Sequence, residues 1–270
     1  MIESCCKLCG ETKGKEVLDV SNCHDTYLDY MGIKYKDLKR YYKECDSCGF
    51  TYRNYFLTEA EKDHLYSIFR DQGLRNETHN EYFQRVSSLP KEKSENHEKY
   101  DYLKTFLKNT GSHLDVGGGL GVFAYGFQEY FPGWESLVIE PTPGSSEIAE
   151  KHGVKVHEVY LDENSHKTIG KNFDLITANH VVEHVDYPVD FLKLLKQYLS
   201  ETGMICIEMP STLDIGFLEI NHDRFMSQHE VIYNNKTVEI LASKASLRVI
   251  ANENYVSKRG RNNVRAILSK

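Results

Sequence analysis

From residue 113 to the end of the chain, short apolar runs of strand length alternate with stretches whose apolar residues recur every three or four positions. Strand-like runs cover 113–116, 136–140, 154–158, 173–178, 204–209, 247–252 and 264–269, and helical runs cover 121–131, 144–152, 188–199 and 235–245. Seven strands with intervening helices predict a doubly wound α/β sheet. Only residues 253–263 separate the last two runs, about a hairpin with its loop, so an antiparallel final strand is expected. The segment 211–234 shows no period. A loop of that length in a compact domain is usually functional.

Residues 54–110 read as a helical linker. Thr58-Glu-Ala-Glu61 is a capping-box-like start, with Leu65, Ile68 and Phe69 following at helical spacing. The polar run 90–96 is a solvated turn or helix start. Tyr100, Leu103, Phe106 and Leu107 then form the stripe of an amphipathic helix leading into the sheet. Tyr66 and Tyr82 lie where a lid over a ligand could form, although such tyrosines are more often half-buried packing residues.

Residues 1–53 carry a separate signature. Cys6-Lys-Leu-Cys9-Gly10 and Cys45-Asp-Ser-Cys48-Gly49 are two C-x-x-C-G knuckles with 35 residues between Cys9 and Cys45. Each knuckle can place two thiolates at adjacent corners of a tetrahedron, and the glycine lets backbone N–H groups fold over the sulfurs. Cys6, Cys9, Cys45 and Cys48 are therefore expected to hold a structural Zn²⁺, with Cys5 an alternative to Cys6 whose C-x-x-x-C spacing fits less well, stabilising a zinc ribbon too small to build its own core. Four protein ligands close the site, so this metal is not expected to do chemistry. Cys23 and His24 lie between the knuckles as bystanders.

Composition narrows the partners. The 270 residues are 40% hydrophobic and 27% charged, with a formal net charge of -7, which gives no overall attraction to nucleic acid or to an anionic membrane. The knuckle segment mixes its lysines and Arg40 with acids and tyrosines, and is less basic than a dedicated nucleic-acid reader. A substrate-covering or packing role is expected of it. No apolar run approaches the ~20 residues of a membrane span, and no secretory signal opens the chain, so a cytoplasmic location is expected.

Candidate chemistry centres on Leu114-Asp-Val-Gly-Gly-Gly-Leu-Gly121, a strand, a tight turn and the start of a helix. Glycine there lets the backbone turn sharply and approach a ligand with no Cβ in the way. Asp115, Gly117, Gly119 and Gly121 spell D-x-G-x-G-x-G. A dinucleotide fingerprint would need a glycine where Val122 stands, which disfavours a nicotinamide oxidoreductase, and no P-loop lysine follows. A nucleoside ligand without a pyrophosphate is expected. The next strand-like run ends in Glu140, nineteen residues after Gly121, where a carboxylate can take ribose hydroxyls.

On these residues the chain resembles the class I S-adenosylmethionine (SAM) methyltransferases, with LDVGGGLG as the first motif and Glu140 as the ribose-binding acid. The resemblance implies a seven-stranded Rossmann-like sheet, residues 111–270, behind the zinc module and the linker or lid. SAM is its implied cofactor. Phe173-Asp-Leu-Ile-Thr-Ala178, followed by Asn179-His180-Val-Val-Glu183-His184, resembles the family's fourth motif. Pro141, Asn179 and His180 are then expected on the cofactor, with Asn179 and His180 on its methionine half and His184 towards the acceptor.

The order IEMP, QHEVIYN, apolar helix resembles sugar methyltransferases with an N-terminal zinc module, in which a histidine before an aromatic acts as the base. His229 is the matching position, with His184 the second choice, and Gln228 stands where that pattern usually has Glu. SAM already carries an activated methyl group, so the protein needs an acceptor held in line and a base; histidine, with a pKa near ~6.5, suits that role. The expected acceptor is a small polar metabolite, a nucleotide-activated sugar or other bacterial surface-polysaccharide (capsule) precursor. O-methylation is slightly favoured because the chain stops without the extra C-terminal domain of C-methylating members. Methylation of a phosphate- or phosphoramidate-type capsule modification, and a zinc-ribbon binding protein with a degenerate methyltransferase fold, are the alternatives.

Overall fold

The structure, a computed structural model, describes residues 2–69, 76–170 and 172–270. The chain opens with β1 (Ile2–Glu3), β2 (Gly14–Asp19), α1 (Thr26–Tyr30), β3 (Tyr41–Cys45), β4 (Thr51–Arg53) and β5 (Tyr55–Phe56). Asp25 caps α1 by accepting from the Leu28 N–H at 3.2 Å. Strands β2, β3 and β4 form an antiparallel meander. Each cysteine knuckle is closed by a left-handed glycine: Gly10 (φ +78°) donates to Cys6 O at 2.8 Å and Gly49 (φ +75°) to Cys45 O at 2.9 Å. A Cβ would be strained at that φ.

Among the described residues three α-helices follow: α2 (Glu59–Phe69), α3 (His79–Ser87) and α4 (Glu95–Leu103). The Thr58 cap is present, with Thr58 N–H donating to Glu61 Oε2 at 2.8 Å and Glu61 N–H to Thr58 Oγ1 at 3.3 Å. Leu65 and Ile68 are buried as their spacing predicts, whereas the side chain of Phe69 and residues 70–75 of the expected linker lie outside the described residues. The helix expected to carry Tyr100 through Leu107 starts earlier, at a Ser94 cap, and ends at Leu103. The stripe still holds, because Phe106 and Leu107 pack on the same apolar cluster from the turn beyond.

The large sheet uses β6 (Gly111–Val116), β7 (Trp134–Ile139), β8 (Lys155–His157), β9 (Phe173–Asn179), β10 (Leu199–Pro210), β12 (Arg248–Val256) and β13 (Asn262–Ser269), with β11 (Val231–Ile232) elsewhere. Its crossings are made by α5 (Val122–Tyr130), α6 (Ser145–Lys151), α7 (His166–Ile169), α8 (Pro188–Tyr198) and α9 (Asn235–Lys244). The order is β12-β13-β10-β9-β6-β7-β8, and β13 alone runs against its neighbours, as the short last connection requires. The order reverses beside β6, which places the crevice for a ligand beyond the carboxyl ends of β6 and β9.

The segment 211–234 is more ordered than its lack of period predicts. It holds two 3₁₀ turns, Thr212–Asp214 and Asp223–Phe225, and then β11, which leaves the large sheet and pairs antiparallel with β4: Val231 opposite Tyr52, Ile232 opposite Thr51. The N-terminal sheet is thereby four-stranded, β11-β4-β3-β2. Cys6, Leu8, Phe50 and Tyr52 share one apolar cluster with Val231, Tyr233, Val182 and Leu241, and Phe50 packs on Tyr233 with ring centroids 4.9 Å apart. Glu230 ties the same seam. It accepts from the Leu57 N–H at 2.6 Å and pairs with Lys7 at 3.1 Å and Lys62 at 3.2 Å, while Asp186 takes the other side of both lysines. Buried charges in such a set are tolerable only because each has a partner.

Candidate active site

A cavity of about 240 Å³ opens beyond the carboxyl ends of β6 and β9. Its floor is the glycine loop. Gly117 has φ +70°, and a Cβ there would stand 2.6 Å from Val181 Cγ2; one on Gly118 would meet Asp115 Oδ2 at 2.5 Å. Gly121 (φ +75°) caps α5 and packs against Ala149 and Val154. Only glycine leaves this loop open and its N–H groups available.

Asp115 is buried beneath the loop. Its Oδ1 accepts from Thr177 Oγ1 at 2.6 Å, and its Oδ2 has no hydrogen-bond partner. Burial raises its pKa to about 7, with the Thr177 bond opposing. Thr177 has one hydroxyl proton and gives it to Asp115. His113 Nε2, 2.8 Å away, must then donate to Thr177, so His113 Nδ1 accepts from Ser136 at 2.9 Å. Burial lowers the His113 pKa to about 3, which keeps the imidazole neutral.

Glu140 stands behind the loop. Its Oε2 accepts from the Gly119 N–H at 2.8 Å, and its Oε1 from the Thr142 N–H at 3.1 Å and the Thr142 hydroxyl at 2.5 Å. Pro141 follows at the strand end, half-buried, and neither it nor Glu140 is among the residues that line the cavity. Asn179 and His180 do line the cavity, and the buried Asn179 Nδ2 has no partner.

His180 sits at φ +55°, an unfavourable backbone for a non-glycine residue, and its ring lies between two acids. Nδ1 is 3.1 Å from Glu183 Oε1 and Nε2 is 3.1 Å from Glu208 Oε1. Against burial, which would lower it, these two carboxylates raise the His180 pKa. Glu208 also pairs with Lys99 of α4 at 2.9 Å, and despite burial Lys99 and His180 hold its carboxyl well below the usual range.

His184 and His229 come together from segments 45 residues apart in sequence. Their rings stack with centroids 5.3 Å apart at 26°. His184 Nδ1 lies 2.8 Å from Gln228 O, and His229 Nδ1 lies 3.1 Å from Arg224 O. A ring nitrogen facing a carbonyl must carry the proton, which leaves Nε2 as the basic nitrogen of each neutral ring. Burial, first of all, lowers both pKa values, and for His229 the neighbouring His184 and Arg224 add to it. The N-terminal sheet fixes His229: its carbonyl accepts from Tyr42 Oη at 2.5 Å and from Arg53 Nε at 3.2 Å.

Cys6, Cys9, Cys45 and Cys48 form a cluster able to hold a metal ion, with sulfur atoms all within 4.8 Å of one another. Cys6 and Cys48, and Cys9 and Cys45, are 3.5 Å apart. Four sulfurs at about 2.3 Å from a central zinc would stand about 3.8 Å apart, so the spacing fits a tetrahedral thiolate site. The Leu8 and Cys9 N–H groups bond Cys6, and those of Ser47 and Cys48 bond Cys45, as the knuckle glycines allow. Cys23 is buried against Ile220 O and His24 pairs with Asp29, both outside the cluster.

Several site residues carry no local sequence signal. Lys99 reaches the cavity from α4 and Arg259 from the β12–β13 turn, whereas Tyr82, a lid candidate from its place in the sequence, lines it from α3. Tyr82 therefore sits where a lid residue would. Tyr66 instead packs edge-on against His184, with its hydroxyl donating to His184 O at 3.3 Å. Arg53 is fully buried and reads as an ordinary strand residue until Phe225 O, Tyr42 and His229 O are seen around it.

Comparison with known proteins gives a family and a fold. The family model described as a methyltransferase domain matches residues 82–252. An uncharacterized methyltransferase of Schizosaccharomyces pombe is 28% identical over 117 residues, 39% of this chain and 42% of that protein, so the match spans less than half of that relative. A solved 1,6-didemethyltoxoflavin-N1-methyltransferase of Burkholderia thailandensis superposes with a TM-score of 0.56 at 15% identity, over 88% of this chain and 98% of that one. The plantazolicin methyltransferase BpumL superposes with a TM-score of 0.54 at 16% identity, over 76% and 93%.

Proposed function

The chain belongs to the family of methyltransferase domains; from that premise we propose that it is a SAM-dependent methyltransferase whose acceptor is a hydroxyl of a small polar metabolite. The observation that carries the reading is the glycine cradle over Asp115. It closes a cavity at the point where the strand order reverses, with an unpartnered carboxylate oxygen and an unpartnered amide beside it. Asp115, Gly117, Gly119, Gly121, Glu140, Pro141, Asn179 and His180 are the residues assigned to SAM. Glu140 would take the ribose hydroxyls, and Asn179 and His180 the methionine half.

SAM supplies a methyl group already activated by the sulfonium. The chain's own residues must orient the acceptor and move one proton. His229, with His184 beside it, is assigned as the proton acceptor. Two neutral rings with Nδ1 on carbonyls present Nε2 as the basic atom at physiological pH. Neighbours of the same fold hold S-adenosylhomocysteine (SAH) beside small molecules, a desmethylplantazolicin analogue and 1,6-didemethyltoxoflavin, which supports a small-molecule acceptor here. The order of motifs from LDVGGGLG to QHEVIYN supports a nucleotide-activated sugar or another surface-polysaccharide precursor.

The cysteine cluster fits a structural Zn²⁺ held by Cys6, Cys9, Cys45 and Cys48. Its part would be to brace the sheet that carries Tyr42 and Arg53, and through them His229. Calorimetric titration of zinc-replete protein with SAM and with SAH tests the cofactor. Micromolar binding of both is expected, followed by methyl transfer to a nucleotide sugar read by mass spectrometry. No binding of either would transfer the weight to a zinc-ribbon binding protein with a degenerate methyltransferase fold.

A further inference from the structure

We propose that Glu183, His184 and His229 form a second metal site, separate from the four cysteines, which takes a divalent transition-metal ion such as Zn²⁺, Co²⁺ or Mn²⁺. One ligand atom from each residue lies within 4.8 Å of the other two. Two imidazoles and one carboxylate are a donor set that such ions accept while leaving further coordination positions open.

Three observations point to an ion rather than to a packed polar cluster. The first is Glu183. Its side chain is fully buried; Oε1 is occupied by His180 at 3.1 Å, and Oε2 has no hydrogen-bond partner. A buried carboxylate oxygen left without a donor is costly unless something cationic completes it.

The second is the orientation of the rings. His184 Nδ1 faces Gln228 O and His229 Nδ1 faces Arg224 O. Donation of the far N–H to a backbone carbonyl is how metal-bound histidines are fixed, since it sets the tautomer and aims Nε2. The third is rigidity. Tyr66 Oη holds the His184 carbonyl, while Tyr42 Oη and Arg53 Nε hold the His229 carbonyl, so two ligands from distant segments are placed before any ion arrives.

The site adjoins the proposed cofactor cavity through His180, whose ring lines that cavity and contacts Glu183. An acceptor oxygen bound at the ion's open position would lose its proton more readily, to bulk water, with His184 and His229 as ligands; in the ion-free protein their Nε2 atoms remain the bases. This role in catalysis rests on the methyltransferase reading, whereas the binding of the ion does not.

The test uses the whole 270-residue chain as isolated, with the cysteine site loaded. It is titrated with Co²⁺, passed through gel filtration, and read by elemental analysis and visible absorption. One retained Co²⁺ per chain is expected, with weak ligand-field bands of nitrogen and oxygen donors and no strong thiolate charge-transfer band. Glu183→Gln, which keeps the size of the side chain and its acceptor for His180, should lower that occupancy at least tenfold, as should His229→Ala. Circular dichroism checks the fold of each variant. No retained Co²⁺ in the unsubstituted protein overturns the proposal. So does equal retention in both variants, or a bound ion that shows the thiolate band. SAM titration of the same samples reads the cofactor site independently, so failure of one assignment is separable from failure of the other.

Discussion

Glu140 Oε2 accepts a hydrogen bond from the Gly119 N–H at 2.8 Å, so the acid at the end of β7 holds the glycine loop at the end of its neighbour β6. The residue assigned to ribose is thus already part of the cradle. Glu140→Gln keeps the shape and removes the charge. Hydrogen bonds to a charged group contribute about 1.5–3 kcal/mol, so SAM should bind roughly ten- to a hundredfold more weakly. Unchanged affinity by calorimetry would remove Glu140 from the site.

Gly117→Ala should abolish SAM binding. The residue needs φ +70°, and its new Cβ would stand 2.6 Å from Val181 Cγ2. Adding Val181→Ala removes the overlap and leaves only the backbone strain of about 1–2 kcal/mol. The double variant is expected to regain part of the affinity lost by the single one. Equal, undetectable binding by both would place the cost in the backbone alone.

Asp115 makes stability depend on pH in a stated direction. Its folded pKa is raised to about 7, above the ~3.9 of an unfolded aspartate. Below about pH 4 the group is neutral in both states and costs nothing. As pH rises to 7 the unfolded chain ionises first, so the folded state loses stability, and the loss is constant above that. Asp115→Asn should therefore melt higher than the parent at pH 8, with the advantage disappearing near pH 4. Asp115→Ala should abolish SAM binding. Parallel melting curves of Asp115→Asn and parent across this range would show that the carboxylate is not strained by burial.

His229→Ala should leave SAM affinity within about twofold and lower kcat by about 10²–10⁴ if the ring moves the acceptor proton. An unchanged kcat would discard His229 as the base. Burial keeps both rings neutral, with pKa values below that of free histidine, so kcat should stay level from pH 7 to pH 8.

On the proposed zinc assignment, Cys48→Ser should lower the zinc content and loosen β3, β4 and β11 together, because one sheet carries all three. Hydrogen exchange at residues 51–53 is expected to rise before that of β6 or β9. Full zinc content with unaltered exchange would remove Cys48 from the ligand set.

Much of this architecture was legible in the chain. Strand periodicity and the glycine loop are local: a tight turn, a left-handed φ and an apolar run each depend on a few neighbouring residues, so Asp115 to Gly121, Glu140 and the two cysteine knuckles could be read directly. The antiparallel last strand followed from a connection too short for a crossover. Tertiary structure decided the surroundings of His229. Nothing in the 211–234 segment announces that residues 231–232 leave the large sheet to join the N-terminal one, since two apolar residues pair with whichever edge the fold presents. Only that pairing sets His229 against His184, buries Arg53 beneath it and leaves Glu183 with an uncapped oxygen. Lys99 reached Glu208 in the same way, from a helix whose periodicity reports the buried face but not which acid it meets. Local backbone chemistry is written residue by residue, whereas the stacking of two rings 45 residues apart, or a guanidinium reaching a carbonyl 176 residues away, depends on packing that no short window contains.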